Sequence, residues 1–97
     1  VKEQTAFIRS LTADAESLLA RAKSEESKTV VKKVYEAVRY SDPMSNSALS
    51  EIEAQITMKF ATFSAAVEVD EVENIHTSGD ELLILIGGRN RKCKVLK

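Results

Sequence analysis

His76 is the only imidazole in the chain, so any histidine-dependent triad or general base has to be built on it. Ser78 and Asp80 follow closely and complete the residue types of a nucleophilic triad. Groups this near along a chain rarely converge on one reacting atom, and no Gly-x-Ser-x-Gly elbow surrounds a serine. The plainer reading is a helix start, with Ser78-x-x-Glu81 as a capping box. One Cys and one His give no zinc spacing, and no Asp-x-Asn-x-Asp calcium loop occurs. Glu68, Asp70, Glu71, Glu73, Asp80 and Glu81 suit the positive end of a helix dipole as a solvated face. Gly87-Gly88 lacks a phosphate-loop context. No catalytic, cofactor-binding or metal-ligating residue is therefore assigned, and the chain reads as non-enzymatic.

The charge most open to a function lies at the end of the chain. Arg89, Arg91, Lys92, Lys94 and Lys97 place five positive charges in nine residues. Such a segment, 89–97, can neutralise phosphates on nucleic acid or an anionic surface. The net charge of −1 and the lack of interleaved aromatics disfavour nucleic acid. Cations are also expected at a helix C-terminus on dipole grounds. The first reading is thus a solvated helix end, and the second a contact with an acidic patch on a partner protein. Cys93, among these cations, reads as a small core residue rather than a reactive thiol.

Composition narrows the scaffold that must carry these residues. Of 97 residues, 43% are apolar and 30% charged, with 3 Gly, 1 Pro and 1 Cys. So few turn residues exclude a sandwich or barrel, and one cysteine excludes a disulfide framework. One domain, 1–97, is expected. The longest apolar run, residues 82–86, is far short of the roughly 20 residues a membrane span needs. The lone cysteine and the lack of a secretory pattern point to the cytoplasm. The chain opens on Val1 rather than Met, which reads as a processed product or an excised segment.

The apolar spacing is helical nearly throughout. Ile8, Leu11, Ala15, Leu18 and Ala22 recur at 3 and 4 residues, forming one stripe over 2–23. It lapses through 24–28 and resumes out of step at Val30, Val31, Val34, Ala37 and Val38, which favours a break capped by Ser27 over one long helix. Pro43 requires the helix to end near Tyr40, and Asp42 or Ser45 is positioned to cap the next. Leu49, Ile52, Ile56 and Phe63 mark a second long helix over about 46–69. Val72, Ile75, Gly79, Leu82, Ile86, Arg89, Cys93 and Leu96 then mark a third near 71–96. A competing reading makes 81–96 a β-hairpin turning at Gly87-Gly88.

The segments Val34-Tyr35-Glu36-Ala37-Val38-Arg39-Tyr40-Ser41-Asp42-Pro43-Met44-Ser45-Asn46 and Arg89-Asn90-Arg91-Lys92-Cys93-Lys94-Val95-Leu96-Lys97 resemble segments of uncharacterised small bacterial helical proteins. The resemblance covers roughly 30–97. It implies an antiparallel helical pair bracketed by the two motifs, in some members a soluble region following an N-terminal membrane anchor, and no particular activity. Gly87-Gly88 departs from the helix-favouring pair expected before Arg89. Within the first motif, Arg39 and Asp42 flank the turn and are expected to pair, with Tyr40 at the rim.

The expected architecture is all-α: an antiparallel bundle of three helices, the first broken near residues 24–28. In such a bundle the 2–23 stripe has no partner, so residues 1–26 form an extending interaction helix. Ile8, Leu11 and Leu18 are then expected to be buried against a protein partner or a second copy, making the chain a helical interaction or oligomerisation module. The alternative function is binding of nucleic acid or anionic surfaces through 89–97. No cofactor and no membrane span within the chain are expected.

Overall fold

The computed structural model describes residues 5–96. Lys97 of the basic segment and residues 2–4 of the first stripe, with Val1, lie outside that range. All regular structure among the described residues is helical: α1 (Ala6–Arg21), α2 (Glu25–Arg39), a single 3-10 turn (Ser47–Leu49), α3 (Ser50–Val69) and α4 (Val72–Leu96). The expectation of an all-α fold holds, but with four helices where three were expected. The hairpin alternative is overturned, because α4 runs unbroken through Gly87-Gly88. Neither glycine has the positive φ that a two-residue hairpin turn requires.

The fourth helix comes from the break in the first stripe. Ala22 and Ser24 are extended, and the Ser24 hydroxyl accepts a hydrogen bond from the Ser27 N–H at 3.1 Å. Ser24 is the cap, not Ser27, which sits inside α2. Capping from Ser24 leaves Glu25 and Glu26 in the first turn, where the helix dipole favours them. The Ser27 hydroxyl is buried without a hydrogen-bond partner. Ser27→Ala should therefore stabilise the chain by about 1 kcal/mol in urea unfolding; a loss of stability would show that the hydroxyl is satisfied in solution.

Two helical hairpins, α1–α2 and α3–α4, pack together. In the second, Lys59 meets Glu81 and Glu53 meets Arg89, so α3 and α4 run antiparallel. Between hairpins, Glu26 meets His76 and Ser41 meets Asn90 at separations of 50 and 49 residues. That constant offset places α2 and α4 side by side and parallel. The connection 40–49 must then cross the end of the bundle to reach α3. At the other end Asp70, left-handed at φ 55°, closes α3, and its carboxylate accepts a hydrogen bond from the Ser24 hydroxyl at 3.0 Å. Lys23 Nζ donates to the Glu68 carbonyl and Arg21 pairs with the Glu68 carboxylate, so the two tight turns are hooked together.

This packing supplies the fourth partner that the first stripe lacked. Ile8, Leu11, Ala15 and Leu18 are buried together with Val31, Val34, Val38, Ile56, Phe63, Leu82 and Ile86. The extending interaction helix over 1–26 is thus corrected: its apolar seam is internal, spent on the chain's own core. At 5%, 6% and 0% exposure, Ile8, Leu11 and Leu18 are not available to another molecule.

Candidate functional site

The crossing connection creates a problem that one side chain solves. Pro43 has no N–H, and carbonyls carried into the bundle end need donors from elsewhere. Arg89 supplies them. Its Nη1 donates to the Asp42 carbonyl at 2.8 Å and its Nη2 to the Met44 carbonyl at 2.9 Å. Its Nε donates to Glu53 Oε2 at 3.0 Å, and the guanidinium lies 5.6 Å from the centre of the Phe7 ring. The residue is fully buried, so these partners stand in for water.

Neighbouring polar groups extend the lock. Ser45 Oγ donates to Glu53 Oε2 at 2.6 Å, and Asn90 Nδ2 donates to Ser41 Oγ at 3.0 Å, which itself donates to the Ala37 carbonyl. The Cys93 thiol reaches the Met44 carbonyl at 3.7 Å from a buried position. Asn46, rather than Asp42 or Ser45, caps the restart by accepting from the Ala48 N–H. The segments 40–46 and 89–93 therefore lie against each other. No protein-family model, curated protein or solved structure matches the chain.

Arg89 corrects its sequence reading as part of a solvated basic end. It occupies the buried side of α4 between Ile86 and Cys93 and is neutralised by Glu53, a partner sequence reasoning missed along with Asn90, Ser41 and Phe7. Arg91, Lys92 and Lys94 do face solvent. Arg39 donates to the Tyr35 hydroxyl at 3.4 Å and stacks over the Tyr40 ring at 5.5 Å, while Asp42 accepts from the Met44 N–H. The turn is thus held chiefly by Arg89, not by the expected Arg39–Asp42 pair.

His76, Ser78 and Asp80 do not converge. His76 meets Glu26 on the surface, and Ser78 is buried within α4, donating to the Asn74 carbonyl at 2.6 Å rather than capping a helix. No group of three or more His, Cys, Asp or Glu among the described residues is placed to hold a metal ion. No helix of the described residues is long and apolar enough to cross a membrane.

The surface carries a feature that stripe reading passed over. Between Glu53 and Glu68 the only charged residue of α3 is Lys59, and it is tied to Glu81 at 2.7 Å. Ala54, Met58, Ala61, Thr62, Ala65 and Val69 are all exposed on the outer face, Met58 by 73% and Val69 by 63%. An exposed helix face ordinarily carries charged and polar side chains, so a face with no charge and with Met58 and Val69 bare is one that another surface can cover. The outer face of α2, by contrast, carries Lys28, Lys32, Lys33 and Glu36. The missed signal was the run without a free charge, legible in the sequence but masked by the stronger stripe beside it.

Proposed function

We propose that the chain is a non-enzymatic helical oligomerisation module that pairs with a second copy through the outer face of α3. The supporting observation is the uncharged, exposed stripe from Ala54 to Val69. Its order of sizes fits an antiparallel pairing about a two-fold axis between Ala61 and Thr62. In that register Ala54 faces Val69 of the other copy, Met58 faces Ala65, and Ala61 faces Thr62. Each larger side chain then meets a smaller one, so two ridges interdigitate at close approach. The interaction role assigned to Ile8, Leu11 and Leu18 thus passes to α3.

Sedimentation velocity over a concentration series tests this. The wild-type chain should sediment as a dimer. Ala61→Glu sets two like charges against each other at the axis, which costs several kcal/mol and should raise the dissociation constant by about 100-fold or more. Helical circular dichroism should not change, because Ala61 faces solvent in the single chain. A wild-type chain that stays monomeric up to about 1 mM removes the reading.

A further inference from the structure

We infer that the bundle end formed by Tyr40, Met44 and the last turns of α4 is a docking tip for an anionic lipid bilayer. The inference does not rest on pairing through α3. The lock around Arg89 holds the loop carrying Tyr40 and Met44 against the C-terminal turns of α4. This gathers four of the seven exposed large apolar side chains among the described residues at one end: Tyr40 at 76%, Val95 at 83%, Met44 at 45% and Leu96 at 46%. Arg39, Arg91, Lys92 and Lys94 stand exposed among them. Asp42, Glu36 and the exposed Glu51 are the acids nearby, outnumbered by the four cations, and Glu53 is neutralised by Arg89.

Apolar side chains interspersed with cations suit a bilayer interface, where the apolar groups enter the acyl boundary and the cations meet headgroup phosphates. Nucleic acid fits less well: Tyr40 is the only aromatic in the group, Arg39 already covers it, and a phosphate backbone has no use for Val95 and Leu96. The net charge of −1 does not oppose docking. No Lys or Arg occurs between Lys59 and Arg89, and Glu68, Asp70, Glu71, Glu73, Asp80 and Glu81 all fall in that interval. Of these, Glu68, Asp70, Glu71 and Glu73 lie around the α3–α4 turn, where with Glu25 and Glu26 they outnumber Arg21, Lys23 and Lys28, at the other end of a molecule 39 Å long. Charges act over only about 8 Å at physiological salt, so the two ends are felt separately. The acidic end then turns the molecule tip-first toward a negative surface.

The test is co-sedimentation of the full chain with phosphatidylcholine vesicles, without and with about one-third phosphatidylserine. Binding is expected only to the anionic vesicles and should weaken as salt rises. Lys92→Glu with Lys94→Glu should lower affinity by at least about 25-fold, since each cation near such a surface contributes about fivefold. Val95→Ser should lower it several-fold and leave the salt dependence unchanged. These three side chains face solvent, so the helical signal serves as the check on folding. Vesicle binding should also persist in Ala61→Glu. No binding to anionic vesicles at low salt, equal binding to neutral ones, insensitivity to the double lysine reversal, or tighter binding to a DNA oligonucleotide than to vesicles would each overturn the inference.

Discussion

Arg89→Leu will destabilise the chain by about 3–5 kcal/mol, the cost of breaking a buried ion pair by removing one partner. The loss has two sources. Glu53, its side chain only 12% exposed, is left without its countercharge, the Asp42 carbonyl loses its guanidinium donor, and the Met44 carbonyl keeps only the weak Cys93 thiol. A domain of this size has only about 5–15 kcal/mol in hand, so the midpoint in urea should fall steeply. Arg89→Lys retains the charge but cannot reach three acceptors with a fixed planar fork, and should fall between. Arg89→Leu combined with Glu53→Leu should recover part of the loss, because no charge is then left buried. A single Arg89→Leu within about 1 kcal/mol of wild type would refute the lock. Its consequence extends to the surface: loosening residues 40–46 should expose them to limited proteolysis and scatter the tip that carries Tyr40 and Met44.

Much of this arrangement was legible in the spacing of apolar residues. Val72, Ile75, Gly79, Leu82, Ile86, Arg89, Cys93 and Leu96 fall on one stripe, and all are buried but half-buried Val72 and exposed Leu96. Spacing puts Arg89 on the buried side of α4, whereas its charge groups it with Arg91 and Lys92, which are solvated. Periodicity reports which side of a helix is covered and says nothing of which distant carboxylate accompanies a buried cation. The lapse at 24–28 announced the end of the first stripe, but with Ser24 and Ser27 both available the cap could not be chosen from local sequence. Ile8, Leu11 and Leu18 looked surplus because only three helices were counted. Once the break yields a fourth, the same residues complete a core. The empty outer face of α3 was harder to see, since it consists of what is missing rather than of a pattern.

Gly79→Val should cost about 3 kcal/mol or more, while Gly87→Ala should stabilise the same helix. A Cβ at Gly79 would lie 2.7 Å from Val30 Cγ1 and 3.1 Å from Phe63 Cε1. Both neighbours are buried and cannot retreat, and inserting even single methylenes into a packed core costs about 1–3 kcal/mol. Valine adds two further methyl groups at that point. For Gly79→Ala the helix preference of about 1 kcal/mol opposes the clash, so a smaller net loss is expected. At Gly87 a Cβ would meet only the end of the flexible Arg91 side chain at 3.5 Å. Gly87→Ala should then realise most of that preference as a rise of about 0.5–1 kcal/mol in urea unfolding. Gly88, facing Ile52 Cδ1 at 3.3 Å, should come out near neutral on substitution by Ala. The sign expected at Gly87 follows from its place inside the unbroken α4. In a hairpin turn that glycine would need positive φ and alanine would destabilise it, whereas in a continuous α4 alanine can only help. A loss at Gly87 would therefore contradict the helix, and equal gains at all three glycines would contradict the close approach of α4 to Val30 and Phe63.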